Sequence, residues 1–233
     1  MSTLFEPLSS AAWRENSAPR AATKATPAEW AAGRGRSSPI RVRPAAPRPR
    51  NPGRLPSTDS CPIQNFDDGD LALIGLAGEL CGGPTWLDLS DAAITDQGLR
   101  HLDSCSRLEE LSLCGTSITD AALPSIAGLK GLRYLSLAET SITSLGLVPL
   151  LALRQLEWLD LGGTRIDDAA MPILGLLDSL KELLLYSTNV TDAGLDVLAS
   201  LQRLEWLDAA GCLVSPSAAR SLERRLPLLS IYV

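Results

Sequence analysis

The side chains that most often carry chemistry are scarce in this chain. It has one histidine, His101, and five cysteines, Cys61, Cys81, Cys105, Cys114 and Cys212, in 233 residues. The cysteines are odd in number and lack paired metal-ligand spacing, which argues against a zinc site. No histidine stands in register with Cys114, so a nucleophile–base dyad has no base. Gly162-Gly163 reads as a close-packed turn rather than a phosphate-binding loop. The expectation is no catalytic residue, no metal and no cofactor. Cys105 stands where Leu129, Leu153, Leu177 and Leu201 recur at multiples of 24 and reads as core, and Cys61 and Cys81 are close enough in sequence to pair if the chain is exported, reduced thiols being the default. What remains is a set of carboxylates and aromatic rings whose numbers differ by multiples of 24: Trp86, Glu110, Tyr134, Trp158, Glu182 and Trp206 in one series, Asp88, Asp160 and Asp208 in another.

The elements that position these residues follow from the same period. Leu108-Glu109-Glu110-Leu111-Ser112-Leu113 and Leu156-Glu157-Trp158-Leu159-Asp160-Leu161 are two copies of L-x-x-L-x-L, and further copies start at 84 (with Pro84 in first place), 132, 180 and 204. Self-similarity at a fixed period of this size is the signature of a solenoid. The last two leucines of each copy are two apart, so they share one face of a short strand. A lone strand cannot bury that face, but stacked copies can, as a parallel sheet. Next in each copy comes T-x-I-T-D. Its Ile or Val (Ile94, Ile118, Ile142, Ile166, Val190 and Val214) continues the core. Thr116, Thr140, Thr164 and Thr188 occupy a position suited to bonding the neighbouring coil's backbone. Thr119-Asp120, Asp167-Asp168 and Thr191-Asp192 offer side-chain oxygens to cap a short helix. Pro124 and Pro172 sit near its first turn, where a missing N–H costs least, and predict abbreviated helices or 3₁₀ turns.

In such a coil the outward residues of successive strands form columns on the concave face. Two columns are the series above, the second completed by Ser112, Ser136 and Leu184. Two more follow the strand: Ser90, Cys114, Ala138, Gly162, Tyr186, Ala210, and then Asp91, Gly115, Glu139, Gly163, Ser187, Gly211. These positions hold seven acids, no Lys or Arg, three of the chain's five tryptophans and two of its three tyrosines. Exposed Trp and Tyr are the material of binding hot spots. Carboxylates beside them favour a cationic or Arg-rich peptide through ion pairs and cation–π contacts. Phosphates would meet carboxylates here, which speaks against nucleic acid on this face. The residues expected to contact a partner are Trp86, Asp88, Glu110, Tyr134, Glu139, Trp158, Asp160, Glu182, Tyr186, Trp206 and Asp208.

The rest of the chain differs in composition. Residues 1–60 hold nine of the sixteen prolines, and ten Lys or Arg against four acids, whereas residues 61–233 hold eleven against twenty-three. The first segment reads as a disordered basic tail, its Arg41 to Arg50 stretch favouring extended conformations. Residues 61–83 read as an N-terminal cap, with a helix started by Asp67 or Asp68 and carrying Leu71, Ile74, Leu76 and Leu80. Residues 84–233 form the repeat domain, ending in a strand at 228–233. Its last edge allows weak self-association; otherwise the chain reads as a monomer. No apolar stretch forms a secretory signal or a membrane span. The expected location is cytoplasmic, the alternative being secretion by a route that needs no signal peptide.

The L-x-x-L-x-L frame and the I-T-D-x-G-L wording of Ile94–Leu99 and Val190–Leu195 resemble the leucine-rich repeat family, in particular its cysteine-containing arrays and those common in bacterial proteins. The resemblance covers residues 84–233. It implies an α/β solenoid, a right-handed parallel β/α superhelix, and a non-enzymatic module that binds a protein or peptide. One departure is Thr116 and its equivalents, where the family usually has Asn. The alternative function is that of a secreted bacterial effector or a ubiquitin-ligase substrate-receptor-like adaptor. Residues 61–83 are too short for an F-box, and a catalytic domain would need roughly a hundred further residues.

Overall fold

A computed structural model describes residues 66–81 and 83–233. The tail read from residues 1–60 lies outside the described residues, as does Cys61. Seven strands form one parallel sheet in chain order: β1 (Trp86–Asp88), β2 (Glu110–Ser112), β3 (Tyr134–Ser136), β4 (Trp158–Asp160), β5 (Glu182–Leu184), β6 (Trp206–Asp208) and β7 (Ser230–Tyr232). Every pair is in register at one period, so Leu87, Leu111, Leu135, Leu159 and Leu183 form a column inside the coil. Each strand is three residues long, and the ladder continues one residue beyond it, where Leu113 N–H donates to the Ser136 carbonyl and Leu137 N–H to that of Asp160. The connections run through 3₁₀ turns and short helices: α2 (Leu123–Ile126), α3 (Met171–Leu174), α4 (Asp192–Val197) and α5 (Pro216–Arg225). Pro124 and Pro172 stand in the first turns of α2 and α3. The first and third coils have only 3₁₀ turns.

The core is continuous along the array. Leu113, Leu132, Leu135, Leu156, Leu159 and Leu183 are completely inaccessible, Leu87 in the first strand is partly buried, and Cys105 is packed among them. Each coil shares its leucines with the next, so no coil has a private core. The threonine column behaves differently from the sequence expectation. Thr116, Thr140, Thr164 and Thr188 are buried, and each hydroxyl donates to the carbonyl three residues back in its own coil, at 2.5–2.7 Å. The corner of the coil brings that carbonyl closer than the neighbour's. Only Cys212, which takes the same position, reaches across, its Sγ 3.0 Å from the Leu185 carbonyl and 3.3 Å from Thr188 Oγ1.

The T-D corner carries a second ladder that joins coils. Thr119, Asp167 and Thr191 accept from the backbone two residues on, and so cap the turns that follow. The next residue works between coils. Asp96 accepts from the backbone N–H and the hydroxyl of Thr119, Asp120 from those of Thr143, and Asp168 from those of Thr191, all at 2.6–2.8 Å. Asp192 does the same for Ser215, which holds its carboxyl below the usual range. One step is inverted. Ser144 stands where the aspartate would be, and Asp167 stands where the threonine would be; Ser144 Oγ donates to Asp167 Oδ1 at 2.6 Å and accepts from Asp167 N–H at 2.9 Å. The glycine of I-T-D-x-G-L is explained by the same ladder, because a Cβ at Gly146 or Gly194 would lie 2.3 or 2.2 Å from the Asp120 or Asp168 carboxylate.

Helix α1 (Asp68–Cys81) packs on the 3₁₀ segment Gly98–Ser104. Asp67 Oδ1 accepts from Gly69 N–H at 2.8 Å at its start, while Asp68 extends the corner ladder to Thr95. Leu71 is buried and Ile74 half-buried, whereas Leu76 is 57% exposed. The helix faces the array through Gly75 and Gly78 instead. A Cβ at Gly75 would lie 2.3 Å from the His101 carbonyl, so glycine lets the two backbones approach, and Ser104 Oγ donates to the Gly75 carbonyl at 2.7 Å.

Candidate functional site

The strands place Trp86, Glu110, Tyr134, Trp158, Glu182 and Trp206 in one row, each beside the next. Trp86 is 42% exposed and the other five are half-buried, because neighbouring side chains lean on one another along the row. Burial raises the pKa of Glu110 and Glu182; Glu109 adds to it for the first and Glu205 for the second, with Arg133 opposing at Glu110. The Trp158 indole lies close enough to Glu182 to lower that carboxyl somewhat. The contact falls short of hydrogen-bond geometry, so Trp158 Nε1 is buried without an acceptor. An unpaired buried donor is uncommon and costs about 1–3 kcal/mol.

The next row lies deeper. Ser112 and Ser136 are buried, and Asp160 is only 8% exposed. The three aspartates of this row share a task. Asp88, Asp160 and Asp208 each accept, through Oδ1, the backbone N–H two residues on, at 2.9–3.0 Å. They fix the turn that leaves each strand, and their second oxygens remain for other partners. Burial pushes the Asp160 carboxyl up to about 6, with Asp208 and Glu139 adding repulsion and the Gly162 N–H working against it. The ring of Tyr186 covers Gly162, where a Cβ would come within 2.1 Å of Cε1. Glycine is therefore required for the tyrosine to lie flat beside Asp160.

Beyond the strands, one residue per coil adopts the left-handed conformation. Gly115, Gly163 and Gly211 do so without cost, but Asp91, Glu139 and Ser187 hold φ between 54° and 59°. A side chain there is strained. Asp91 and Glu139 are exposed, so this turn lifts two carboxylates above the sheet. Cys114 sits among Glu139, Asp160, Asp91 and Asp88; burial first, then these charges, push its thiol up to about 11. Such a thiol is a poor nucleophile. His101 is exposed on α1's neighbour segment. Among the described residues no group of His, Cys, Asp or Glu is arranged to hold a metal ion. No helix among them is long and apolar enough to cross a membrane.

Sequence reading missed the residues just ahead of the strands. Glu109, Arg133, Glu157, Lys181 and Glu205 alternate in sign along the array and continue the backbone ladder of the sheet. Glu157 is held on both sides, by Arg133 Nη2 at 2.6 Å and Lys181 Nζ at 2.6 Å, which lowers its carboxyl and raises the guanidinium. Arg133 also stacks over the Tyr134 ring, 5.9 Å from its centre. Glu109, Arg133, Glu157 and Lys181 line a cleft of about 490 Å³ shared with Arg107, Arg154 and Arg203. The signal was the 24-residue recurrence of charge at the first x of the L-x-x-L-x-L frame, which no hydrophobic pattern marks.

Comparison with known proteins agrees with this geometry. Residues 106–166 match the family described as leucine rich repeat. No curated protein matches the chain. Among solved structures it is similar to an internalin (InlF) of Listeria monocytogenes str. 4b F2365, at 21% identity and a TM-score of 0.50, over 68% of this chain and 50% of that one. It is also similar to internalin C2 (InlC2) of the same strain, at 24% identity and a TM-score of 0.50, over 66% of this chain and 74% of that one. The chain thus spans half the length of the first, and at these identities the likeness is one of fold. Seven parallel strands and a continuous leucine core give the chain the leucine-rich-repeat solenoid fold, and residues 106–166 carry the sequence match to that family.

Proposed function

We propose that the chain is a non-enzymatic interaction module whose concave face binds a protein or peptide partner carrying basic residues. The observation that supports it is compositional and geometric together. One contiguous face holds Trp86, Tyr134, Trp158, Tyr186 and Trp206 with seven carboxylates and no Lys or Arg, while the array's cations lie elsewhere. Half-buried rings present flat area at little entropy cost, and a guanidinium fits both ring faces and carboxylates. Glu110, Glu182 and the raised Asp160 are carboxylates that burial disfavours, so a cation brought beside them relieves that penalty. Glu139 and Asp91 stand above the sheet at strained turns, positions where a shape kept despite its cost points to use.

The test is affinity capture with the full chain, followed by titration of the recovered partner. Trp158→Ala is expected to weaken binding by about 2 kcal/mol, roughly thirtyfold. Arg100→Ala, on an exposed 3₁₀ segment away from the face, is expected to leave affinity unchanged. Equal losses from the two substitutions would contradict a concave site.

A further inference from the structure

The cleft ahead of the strands carries a second charge pattern, opposite to that of the concave face. Of its cations, Arg133 and Lys181 are engaged with Glu157. Arg107, Arg154 and Arg203 are exposed and form no ion pair or side-chain hydrogen bond among the described residues. They are about two coils apart in sequence, 47 and 49 residues. The backbone ladder runs through this region, from Glu109 N–H on Thr85 to Glu205 N–H on Lys181, so coils are spaced as strands are. Two steps of ~4.8 Å put successive arginines roughly 10 Å apart along the array. A peptide in polyproline II conformation covers that distance in about three residues at ~3.1 Å each, and with three residues per turn its every third side chain faces the same way.

We propose that this cleft binds an acidic peptide segment in polyproline II conformation, with carboxylates three residues apart on one side of it facing Arg107, Arg154 and Arg203. Guanidinium forks take carboxylates in two-pronged contacts. Glu109 and Glu157 line the same cleft, two and three residues on from Arg107 and Arg154, so both signs recur along its length. That spacing suits discrete carboxylates and repels a continuous run of phosphates. No aromatic residue lines the cleft, so bases of a single strand find nothing to stack on. Gly131 and the small side chains of Ser106 and Ser179 leave room for a peptide backbone. The site is separate from the concave face and does not depend on that reading.

The experiment titrates the full chain with a fluorescein-labelled Gly/Ser peptide carrying three glutamates at every third position. Controls are the same composition with the glutamates adjacent, and an oligothymidylate of equal charge. The spaced peptide is expected to bind, more weakly as salt rises, and better than either control. Arg107→Ala/Arg154→Ala/Arg203→Ala is expected to lower its affinity about tenfold. Arg100→Ala/Arg165→Ala/Arg220→Ala removes the same charge elsewhere and is expected to leave affinity unchanged. Circular dichroism checks that both triple variants keep the fold. No measurable binding of the spaced peptide, equal affinity in the two triple variants, or tighter binding of the oligothymidylate would each overturn the proposal.

Discussion

At the scale of single residues, the concave carboxylates divide by what their oxygens already do. Asp88, Asp160 and Asp208 look alike in sequence, and their outward register was legible there. That they brace the turn behind them was not, because an oxygen's partner two residues on depends on backbone dihedrals that the leucine pattern does not encode. Asp160 adds a pH dependence. Its folded pKa of about 6 lies above the ordinary carboxylate value, so the native state favours the protonated form. The resulting penalty is absent below the unfolded pKa, grows as pH rises toward 6, and is constant above it. Asp160→Asn removes the charge and keeps an acceptor for Gly162 N–H. It is expected to stabilise the protein at pH 7.5 by up to about 2–3 kcal/mol, with the difference from the parent vanishing near pH 4. Urea melts at the two pH values check this; an equal difference at both would show that Asp160 is not desolvated.

At the scale of elements, the strands and the abbreviated helices were legible because leucine spacing and proline position report directly on burial and missing N–H groups. The corner ladder was only half legible. Thr-Asp was readable as a cap, but the aspartate's partner lies 23 residues on, in the next coil, and emerges only once coils stack. How the cap helix meets the array was not legible for a related reason: glycines carry no hydrophobic signal, yet Gly75 and Gly78 form the face that meets the array. The inverted Ser144–Asp167 step makes the ladder testable. Ser144→Asp alone sets two carboxylates against each other and is expected to cost about 1–2 kcal/mol. Ser144→Asp with Asp167→Thr rebuilds the pair found at Asp120–Thr143 and is expected to recover most of the loss. Denaturant melts of the parent, both single variants and the double variant give the coupling energy. Strict additivity would mean that the contact carries no stability.

At the scale of the whole molecule, one repeat length sets both the core and the surface. The same period that stacks Leu111, Leu135 and Leu159 inside stacks Glu110, Tyr134 and Trp158 outside. The fold was therefore legible almost throughout, and so was membership of the concave columns. The depth of each column was not, since Ser112, Ser136 and Asp160 sink below the row beside them. Nor was the cleft, whose residues fall between the repeated leucines. The array thus separates charge, with carboxylates on the sheet face and arginines at the strand entries. Hydrogen exchange of the full chain with and without its captured partner tests the central claim most directly. The account predicts that protection on binding concentrates in β3, β4 and β5 and the turns after them, around Tyr134, Trp158, Glu182 and Tyr186. Protection confined to α2–α5 and the 3₁₀ turns, with the strands unchanged, would contradict it.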